Sequence, residues 1–465
     1  FAIILILGVL FSMFAAIYVS RAIFEISEKI GLIKKLSMGR IVGDTKIDFV
    51  GMRHIAIACS IIVIAIGLGA VFFRGSGMLD IDFVGGVMVE VVFDEPQKTA
   101  TVREELSELP DLSVSDLKVS GEKPGTRFLV NAANKPDMEG EESLQDAESL
   151  INEKFGDVLK HYSMTFVPTE VPPTAAQTPG EKTAYMLEFP EKVNYDTLST
   201  YLQEESTRLA NEGILSYDFK FSLANPDPEY TGKSDGRSYE DWIATLGLPA
   251  DDAEKVLNTI QSKLAATTYF PSSSTIGSSV ASQTQTRAIL ALTLALIAIV
   301  AYIWWRFHGV VFGIAAVVAL VHDVLITLGL IAISKWFAPF LEFLQIYEFK
   351  IGLPVLAAFL TIIGYSLNDT IVVFDRIREV RGKSPNLTGP MINKSVNETL
   401  SRTLLTSLTT LFVVVVLYFF GGAGIHTFAF TLVIGIIVGT YSSIFIASPV
   451  LLFLYNRDQK QQDKG

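Results

Sequence analysis

Charged residues are scarce in this sequence. Only 18% of its 465 residues are Asp, Glu, Lys or Arg, whereas 50% are hydrophobic. Since soluble globular domains carry about 25% charged residues, a purely cytosolic protein is excluded. Cysteine is almost absent too: Cys59 stands alone, so neither a disulfide nor a thiolate metal site can be built within this chain. Walker A and HExxH patterns are also missing, so we expect neither direct use of ATP nor a bound metal or cofactor.

Long apolar runs, by contrast, are abundant. Each is close to the roughly 20 residues that an α-helix needs to cross a bilayer. The pattern therefore predicts a polytopic membrane protein. The runs lie at about 1–19, 55–73, 288–305, 310–333, 351–374, 403–420 and 427–454.

Charge is distributed unevenly between these runs. Residues 74–285 hold 36 acidic and 17 basic residues, whereas the short segments elsewhere carry a basic excess. Because Lys and Arg are enriched in the cytoplasmic loops of membrane proteins, segment 21–53 is predicted to be cytoplasmic and the acidic block exported. Counting the later spans places Arg306, Arg376 and Arg457 on the cytoplasmic side as well.

The acidic block has the pattern of a folded α+β domain. Its elements follow the order β-α-β-β-α-β, which predicts a ferredoxin-like split unit. The predicted strands lie at 88–93, 114–119, 127–130 and 162–167, and the predicted helices at 101–109 and 141–155.

A second set of elements follows an extended linker rich in Pro and Thr, predicted at 165–183. We place an insertion near 168–248 and assign it no function. The helix at 250–264 and the strand at 267–269 could belong to either set.

Ionisable residues within the apolar runs indicate where the chemistry lies. Asp323 with its neighbour His322, Asp369 and Arg402 each occupy such a run. A charged Asp or Arg at the centre of a membrane helix costs about 2.5–3.5 kcal/mol, so each requires a partner or a function. Asp369 lies about 24 Å from Leu353, and Arg402 about 27 Å from Phe420, so an ion pair between them is allowed by depth.

Two interpretations of this pair remain open. An Asp beside an Arg favours the charged form, whereas an Asp in apolar surroundings favours the neutral form, so alternation between the two would bind and release a proton. The same pair could instead be a permanent bridge that only holds helices together, and Asp323 and His322 could simply bond a neighbouring helix. The helix of Arg402 also carries hydroxyls that can hold water in a path, among them Thr403, Thr406 and Ser407.

The run Gly364–Arg378, with the sequence Gly-Tyr-Ser-Leu-Asn-Asp-Thr-Ile-Val-Val-Phe-Asp-Arg-Ile-Arg, resembles the signature of the SecD/SecF family of protein-export membrane proteins. Further runs agree with that family in the same order: Asp80–Gly86, Ala319–Ile326, Ser401–Thr403 and Gly439–Ser443. Upstream, Gly8–Phe14 and Val19–Arg21 are similar to the last helix of the SecD half. We therefore interpret the chain as part of a SecD–SecF fusion that lacks most of its SecD half.

The resemblance implies a polytopic α-helical membrane bundle of the resistance-nodulation-division superfamily. It would contain six SecF-type helices plus the last SecD-type helix, with an inserted α+β ferredoxin-like exported domain. The implied divisions are a SecD-like helix with its cytoplasmic linker, the first SecF-type helix, the exported domain, and five further helices with a cytoplasmic tail. These divisions correspond to residues 1–52, 53–73, 74–286 and 287–465.

The resemblance also implies a function. The protein would be a non-enzymatic accessory subunit of the Sec machinery in the cytoplasmic (inner) membrane, using the proton-motive force to promote late translocation of unfolded polypeptides. Its partners would be a SecD-like amino-terminal half, the SecYEG translocon, secretory polypeptides, protons and the lipid bilayer, but no nucleic acid. The residues implied are Asp369, Arg402, Asp323 and Asn368 on the proton pathway, His322 and Thr406 as relays, and Asp80, Asp82, Phe83, Gly85 and Gly86 as the exported-domain motif.

Two departures and two rival functions accompany this interpretation. The family's Gly-Pro-x-Val-Gly appears here as Gly-Ser-Ser-Val-Ala at Gly277–Ala281, and the exported domain is about twice the usual size. A drug or lipid exporter of the same superfamily would present a ligand cavity in its outer domain. An intramembrane aspartyl protease would use Asp323 and Asp369 as a dyad sharing one proton, although their depths differ by about 8 Å.

Overall fold

The computed structural model describes residues 2–31, 43, 45–117, 119, 122–135, 137–170, 183–211, 219–227, 230, 237–307, 310–384 and 386–462. Within this part of the chain, seven helices are long and apolar enough to cross a membrane. The second to the seventh pack against one another as a bundle, and a sheet-containing domain is inserted between the second and the third. The predicted fold class is therefore confirmed.

The membrane-type helices correspond closely to the apolar runs of the sequence. The first, Ile6–Lys29, combines α1 (Ala2–Phe14), a π-helical turn and α2 (Ser20–Lys29), and none of its described residues is buried. The last, Gly424–Arg457, likewise joins α13 and α14 through a π-helical turn. The remaining bounds are α3 (Arg53–Arg74), α9 (Ser278–Phe307), α10 (Val310–Leu341), α11 (Leu353–Arg381), α12 (Gly389–Phe420), α13 (Ala423–Ser442) and α14 (Ser448–Gln462).

Glycines bring particular helices unusually close together. A Cβ atom on Gly67 of α3 would lie 2.7 Å from the Cα of Gly329 on α10, and one on Gly435 of α13 would lie 2.2 Å from the Ile362 side chain on α11. Small residues allow such backbone approach in membrane bundles, where dispersion contacts and interhelical hydrogen bonds drive association. These two crossings position the polar groups described below.

The first sheet of the inserted domain has the strand order β2-β3-β1-β8, with every pair antiparallel. Alternating Val residues of β1 fill its core together with Phe128 and Ile151. This is the predicted ferredoxin-like arrangement. Its elements are α4 (Ile81–Val84), β1 (Gly86–Val92), α5 (Thr99–Glu105), β2 (Ser113–Asp116), β3 (Arg127–Ala133), α6 (Glu141–Phe155) and β8 (Ser273–Ile276).

The fourth strand of this unit differs from the prediction. Residues 162–167 were expected to supply it, but β8 pairs with β1 instead, and β4 (Thr165–Thr169) belongs to another sheet. Pro168 has no N–H group and suits an edge strand, which is the position of β4 in that sheet. β8 leads directly into α9, so the unit closes only when the chain returns to the bundle.

A second unit is inserted between α6 and β8. Its sheet has the order β4-β5-β7-β6, again antiparallel, and its core contains the fully buried Trp242. The expected linker 165–183 is wrong at its start, where β4 lies, and residues 171–182 fall outside the described part of the chain. The elements are β4, β5 (Thr183–Asn194), α7 (Tyr195–Asn211), β6 (Phe221–Ala224), β7 (Ser238–Leu246) and α8 (Ala250–Ala265).

The second unit is thus larger than the insertion predicted near 168–248. Val256, Leu257 and Ile260 of α8 pack in the core around Trp242, which assigns this helix to the second unit. An isolated antiparallel bridge joins His161 to Thr268, so the two chain connections between the first and the second unit run side by side.

The two ends of the bundle differ in chemistry. At one end the inserted domain contacts the connection between α10 and α11. At the other end lie the basic residues, with Arg376 bonded to Glu398 at 2.6 Å and Arg306 lying 3.7 Å from Asp375. We refer to these as the domain end and the basic end.

A short segment crosses the basic end before α3 begins. Asn397 of α12 accepts hydrogen bonds from the Thr45 hydroxyl at 2.6 Å and the Ile47 N–H at 3.0 Å. Asn393, one turn earlier, accepts from the Val50 N–H at 3.0 Å. The start of α12 is therefore fastened to segment 45–50.

Candidate functional site in the helical bundle

The first buried polar cluster is centred on Asp323 of α10, which is 1% exposed. Its Oδ1 lies 2.9 Å from His322 Nδ1, and its Oδ2 accepts hydrogen bonds from Ser366 at 2.5 Å and Ser442 at 2.8 Å. His322 Nε2 lies 2.9 Å from the hydroxyl of Ser60. Side chains of four helices thus form one cluster around this carboxyl group and its neighbour His322, and the hydrogen-bond partners of Asp323 include no Lys or Arg.

Helix crossings explain why these groups meet. Ser60 and Gly67 are seven residues apart on α3, as are His322 and Gly329 on α10, so the glycine contact brings the two polar residues together two turns away. On α13, a Cβ atom on Gly439 would lie 2.9 Å from the Cβ of Ser366. A larger residue there would separate α13 from α11 and draw the serine hydroxyls away from the carboxyl group.

The second cluster is centred on Asp369 of α11, which is 3% exposed. Its Oδ2 accepts a hydrogen bond from Ser407 at 3.2 Å, and its Oδ1 a long one from Thr406 at 3.4 Å. Thr440 of α13 donates to the Ser407 hydroxyl at 2.7 Å. Asp369 is therefore held by hydroxyl groups through bonds at the weak end of the usual range.

The two clusters share helices but not partners. Ser366 and Asp369 lie about one turn apart on α11, and Thr440 and Ser442 lie close together on α13. Neither carboxyl group hydrogen-bonds to the other, and each has its own set of donors. This geometry does not fit an aspartyl protease dyad, in which two adjacent carboxyl groups share one proton.

Arg402 does not form the ion pair that the depth estimates allowed. It is exposed, and no ion pair to it is recorded within the described residues. The estimated depths of Arg402 and Asp369 agree, but the two side chains do not point toward each other. Arg402 precedes Ser407, which contacts Asp369, by five residues, so Arg402 and Ser407 lie about 140° apart around α12. The Thr406 hydroxyl lies 3.4 Å from Asp369, whereas its 3.1 Å contact with the Arg402 carbonyl is an ordinary backbone bond within α12 that does not involve the guanidinium group.

Asn368 is also outside both clusters. It follows the buried Leu367 and precedes the buried Asp369, but its own side chain is exposed on the surface of the bundle. Adjacent helical residues point about 100° apart, which explains why Asn368 is exposed although Asp369 is buried.

The sequence motif before β1 lies at the domain end and contacts α11 directly. Asp82 Oδ2 accepts a hydrogen bond from the N–H of Leu353, the first residue of α11, at 2.9 Å. The Asp80 N–H donates to the Ile351 carbonyl at 2.9 Å, and the Asp80 carboxylate caps α4 through the Ile81 N–H. A Cβ atom on Gly352 would lie 2.8 Å from Asp82 Oδ2, so a larger residue there would displace the Asp82 carboxylate from this bond.

The rest of the motif shapes this junction. Phe83 is buried, and Gly85 has a φ of 80°, a left-handed conformation that favours glycine. A Cβ atom on Gly86 would lie 2.2 Å from the Ala132 carbonyl oxygen of β3. The motif therefore turns the chain from the bundle into the first sheet.

Charged groups are buried at the junction as well. Lys350 donates to the Asp111 carbonyl. Burial lowers the pKa of Lys350, and burial raises the pKa of Asp80, because each loses the water that stabilises its charged form. A cavity of about 810 Å³ adjoins these groups, between the first sheet and the domain ends of α11, α12 and α13.

Sequence reasoning missed several members of the two clusters. Ser60, Ser366, Ser442 and Thr440 were not singled out, although each is a small polar residue within an apolar run. That pattern is a usable signal, since such hydroxyls join helices in membranes. Within the described residues, no group of three or more His, Cys, Asp or Glu side chains could hold a metal ion.

Comparisons with known proteins agree with this architecture. A family model described as the C-terminal part of protein export membrane proteins SecD/SecF matches residues 256–457. The protein translocase subunit SecF of Thermodesulfovibrio yellowstonii is 32% identical over 424 residues, covering 90% of this chain and 97% of that protein. SecF of Desulfurispirillum indicum is 55% identical over 183 residues, but this alignment covers 38% of the chain and 54% of the relative. That relative and the SecF of Rhodothermus marinus, covered to 53%, are thus matched over about half of their length.

Solved structures share the fold. The crystal structure of SecDF, a translocon-associated membrane protein from Thermus thermophilus, matches with a TM-score of 0.57 and 24% identity. It covers 98% of this chain and 45% of that one. A structure of SecDF in a super-membrane-facing form matches with a TM-score of 0.52 and 23% identity, covering 46% of its chain.

Proposed function

Because this chain belongs to the SecF family of protein translocase subunits, we propose that it uses proton movement through its helical bundle to promote polypeptide export across the cytoplasmic membrane. Its cargo is a secretory polypeptide in the unfolded state, late in translocation.

One observation carries this proposal: the recorded partners of both buried carboxyl groups are hydroxyl groups and one imidazole. A hydroxyl can donate to a charged carboxylate and accept from a neutral carboxylic acid, so it accommodates both protonation states. A Lys or Arg partner would favour the charged form alone. Asp323 and Asp369 are therefore suited to take up and release protons.

The available energy is sufficient for mechanical coupling. One proton that crosses a potential of 100 mV releases about 2.3 kcal/mol before any pH difference is added. That free energy shifts a two-state equilibrium by more than tenfold. A domain orientation that differs between the protonated and deprotonated states of Asp369 would follow the proton cycle.

The orientation of the chain follows from its charges. The basic end of the bundle faces the cytoplasm, since Lys and Arg are retained there. Residues 74–285 then lie on the outer side as the exported domain, with a second unit inserted into the first. The divisions 1–52, 53–73, 74–286 and 287–465 describe the chain on this proposal.

A SecD-like amino-terminal half is the proposed partner within the membrane. Arg402 and Asn368 are exposed on the bundle surface within apolar helices, and a lipid-facing Arg is costly. The helix Ile6–Lys29 has no described buried residue and needs a covering partner or lipid. Arg402 would then act in the proton pathway from the interface with the other half, one helical turn before Thr406, whose hydroxyl lies 3.4 Å from Asp369.

The exporter hypothesis has one observation in its favour, the cavity of about 810 Å³ at the domain end. However, it lies between the inserted domain and the helices, whereas the expected ligand cavity lies within the outer domain. A position at the junction suits a segment of an exported chain passing from the SecYEG translocon, so we retain the polypeptide as cargo.

The experiment uses inverted membrane vesicles with a secretory chain arrested late in SecYEG. Imposing a proton gradient should release the chain faster in vesicles that contain this protein, and a protonophore should remove the difference. A photoreactive group at Val119, which lines the cavity, should crosslink to the arrested chain. Equal release with the gradient present and collapsed would contradict the proton role, and a crosslink to a lipid or drug probe alone would favour the exporter.

A further inference from the structure

A file of hydroxyl residues follows the buried face of α12 toward Asp369. Ser395, Thr399, Thr403 and Ser407 recur at intervals of four residues, so successive members lie one turn apart. Their exposed fractions are 0%, 9%, 1% and 6%. The file begins near the basic end of the bundle and ends at Ser407, which donates to Asp369.

Thr403 differs from the other members of this file. Ser395 donates to the Met391 carbonyl at 2.8 Å and Thr399 to the Ser395 carbonyl at 3.0 Å, which is the usual bonding of hydroxyls inside a helix. The Thr403 hydroxyl is buried and has no hydrogen-bond partner within the described residues. An unpaired buried hydroxyl destabilises the folded state, so packing alone does not explain a threonine at this position.

We propose that this file is the inner proton route of the bundle and that Thr403 is its relay residue, binding the water that connects Asp369 to the cytoplasmic side. The inference rests on the proposed function, since it names the path by which Asp369 releases its proton.

Spacing supports a route made of alternating hydroxyls and waters. Side chains four residues apart on a helix have Cβ atoms about 5–6 Å apart, too far for a direct hydrogen bond between hydroxyls. A bridging water can join such a pair. Each hydroxyl accepts a proton on its oxygen and releases its own to the next group, so no net charge stays at Thr403.

The route is closed at its cytoplasmic end in this conformation. Ser395 is fully buried, so a proton that leaves Asp369 reaches bulk water only after the start of α12 opens. Such closure is what a coupled carrier needs, because a route open at all times would dissipate the gradient.

The test compares proton flux in vesicles containing the full-length protein, with a pH-sensitive dye inside and an imposed membrane potential. Thr403→Val keeps the shape of the side chain and removes the hydroxyl, and we expect it to lower the flux at least tenfold. Thr403→Ser should stay within twofold of the unmodified protein. Thr409→Val is the matched control, because Thr409 is exposed on the same helix and bonds only backbone carbonyls.

Stability separates a relay from a structural role. If Thr403 only supported the helix, Thr403→Val would change the melting temperature and the flux together. A relay predicts an unchanged or higher melting temperature with the flux lost, because the substitution removes an unpaired buried hydroxyl. Wild-type flux in Thr403→Val would overturn the route, and the proposed function would fall with it only if Asp369→Asn also kept wild-type flux.

A second measurement covers the outcome in which Thr403→Val does not accumulate. Cys59 is replaced by Ser, and Thr403→Cys becomes the only thiol in the chain. A small charged thiol reagent added on the cytoplasmic side should modify it in energised vesicles, since thiols react as thiolates in contact with water. Absence of modification with and without the gradient would overturn the proposal.

Discussion

The buried carboxyl groups of the inserted domain and of the bundle have different kinds of hydrogen-bond partner. In the second unit, Glu205 is 0% exposed and is held by Arg208 at 2.5 Å and Lys263 at 2.8 Å. In the bundle, Asp323 and Asp369 are as deeply buried, yet their recorded partners are hydroxyls and an imidazole.

The difference shows which buried carboxyl groups keep one protonation state and which can change it. Burial alone would raise the pKa of Glu205, but hydrogen bonds from Arg208 and Lys263 hold that pKa below its ordinary value. Glu205 therefore remains charged at neutral pH and serves the fold. Asp323 and Asp369 accept no hydrogen bond from a Lys or Arg side chain and are less constrained, and the cost of a charge in hydrocarbon favours exchange with a proton.

Among the tests of this difference, the largest effect is expected from the substitution Asp369→Asn. It keeps the size of the side chain and removes its exchangeable proton, so we expect export driven by the proton gradient to fall at least tenfold, to the level of the gradient-free reaction. Arrested-chain release in vesicles measures the effect. Asp375→Asn is the matched control on the same helix, since Asp375 lies at the basic end with its side chain 57% exposed. Normal gradient-driven export by Asp369→Asn would mean that this carboxyl group carries no proton.

A smaller effect is expected from Glu205→Gln in the second unit. The variant removes the carboxylate that accepts two hydrogen bonds from Arg208 and one from Lys263, and we expect it to destabilise the unit by about 2 kcal/mol. Hydrogen exchange of the amides around Trp242, followed by mass spectrometry on the full chain, measures the loss. Asp252→Asn, which removes an exposed pair with Lys255, should change the same exchange by less than about 0.5 kcal/mol. Equal effects of the two variants would contradict the role assigned to burial.

The smallest expected effect is the pH dependence of the same unit. The folded-state pKa of Glu205 is depressed, so its contribution to stability is complete above the unfolded value of about 4.5. It is lost as the pH falls through the lower folded-state value. The opening free energy obtained from amide exchange around Trp242, after correction for the intrinsic exchange rate at each pH, should therefore fall below about pH 4.5 in the unmodified chain and less so in Glu205→Gln. A steeper acid dependence in the variant would assign the effect to other carboxyl groups.

The sequence predicted the helices of the bundle well, because a membrane span is a local property of length and composition. Asp369 and Asp323 were predicted as site residues for the same reason: a carboxyl group inside an apolar run is costly wherever it points. Arg402 shows what a local pattern cannot predict. Its depth could be counted along the helix, but its direction depends on how α12 is rotated against α11, which no local pattern specifies.

The inserted domain shows a second limit. The order of its first five elements followed from local patterns, whereas the fourth strand of the first sheet is β8, more than one hundred residues further along the chain. Pairing between distant strands depends on which edges remain open after the local units have formed. Ser60 reaches His322, and Ser366 and Ser442 reach Asp323, for a similar reason: glycines bring together helices that are far apart in sequence.

The hydrogen bond between Asp82 and Leu353, the first residue of α11, couples any movement of the inserted domain to a tilt of this helix. Its pivot is about 24 Å from Asp369, so a tilt of about 5° at the junction would displace the carboxyl group by about 2 Å. A shift of that size would break the bonds to Thr406 and Ser407, which are already long. The start of α12 is bonded to segment 45–50 at the basic end through Asn393 and Asn397. A tilt of α11 would therefore move Asp369 without moving the hydroxyl groups of α12 by the same amount.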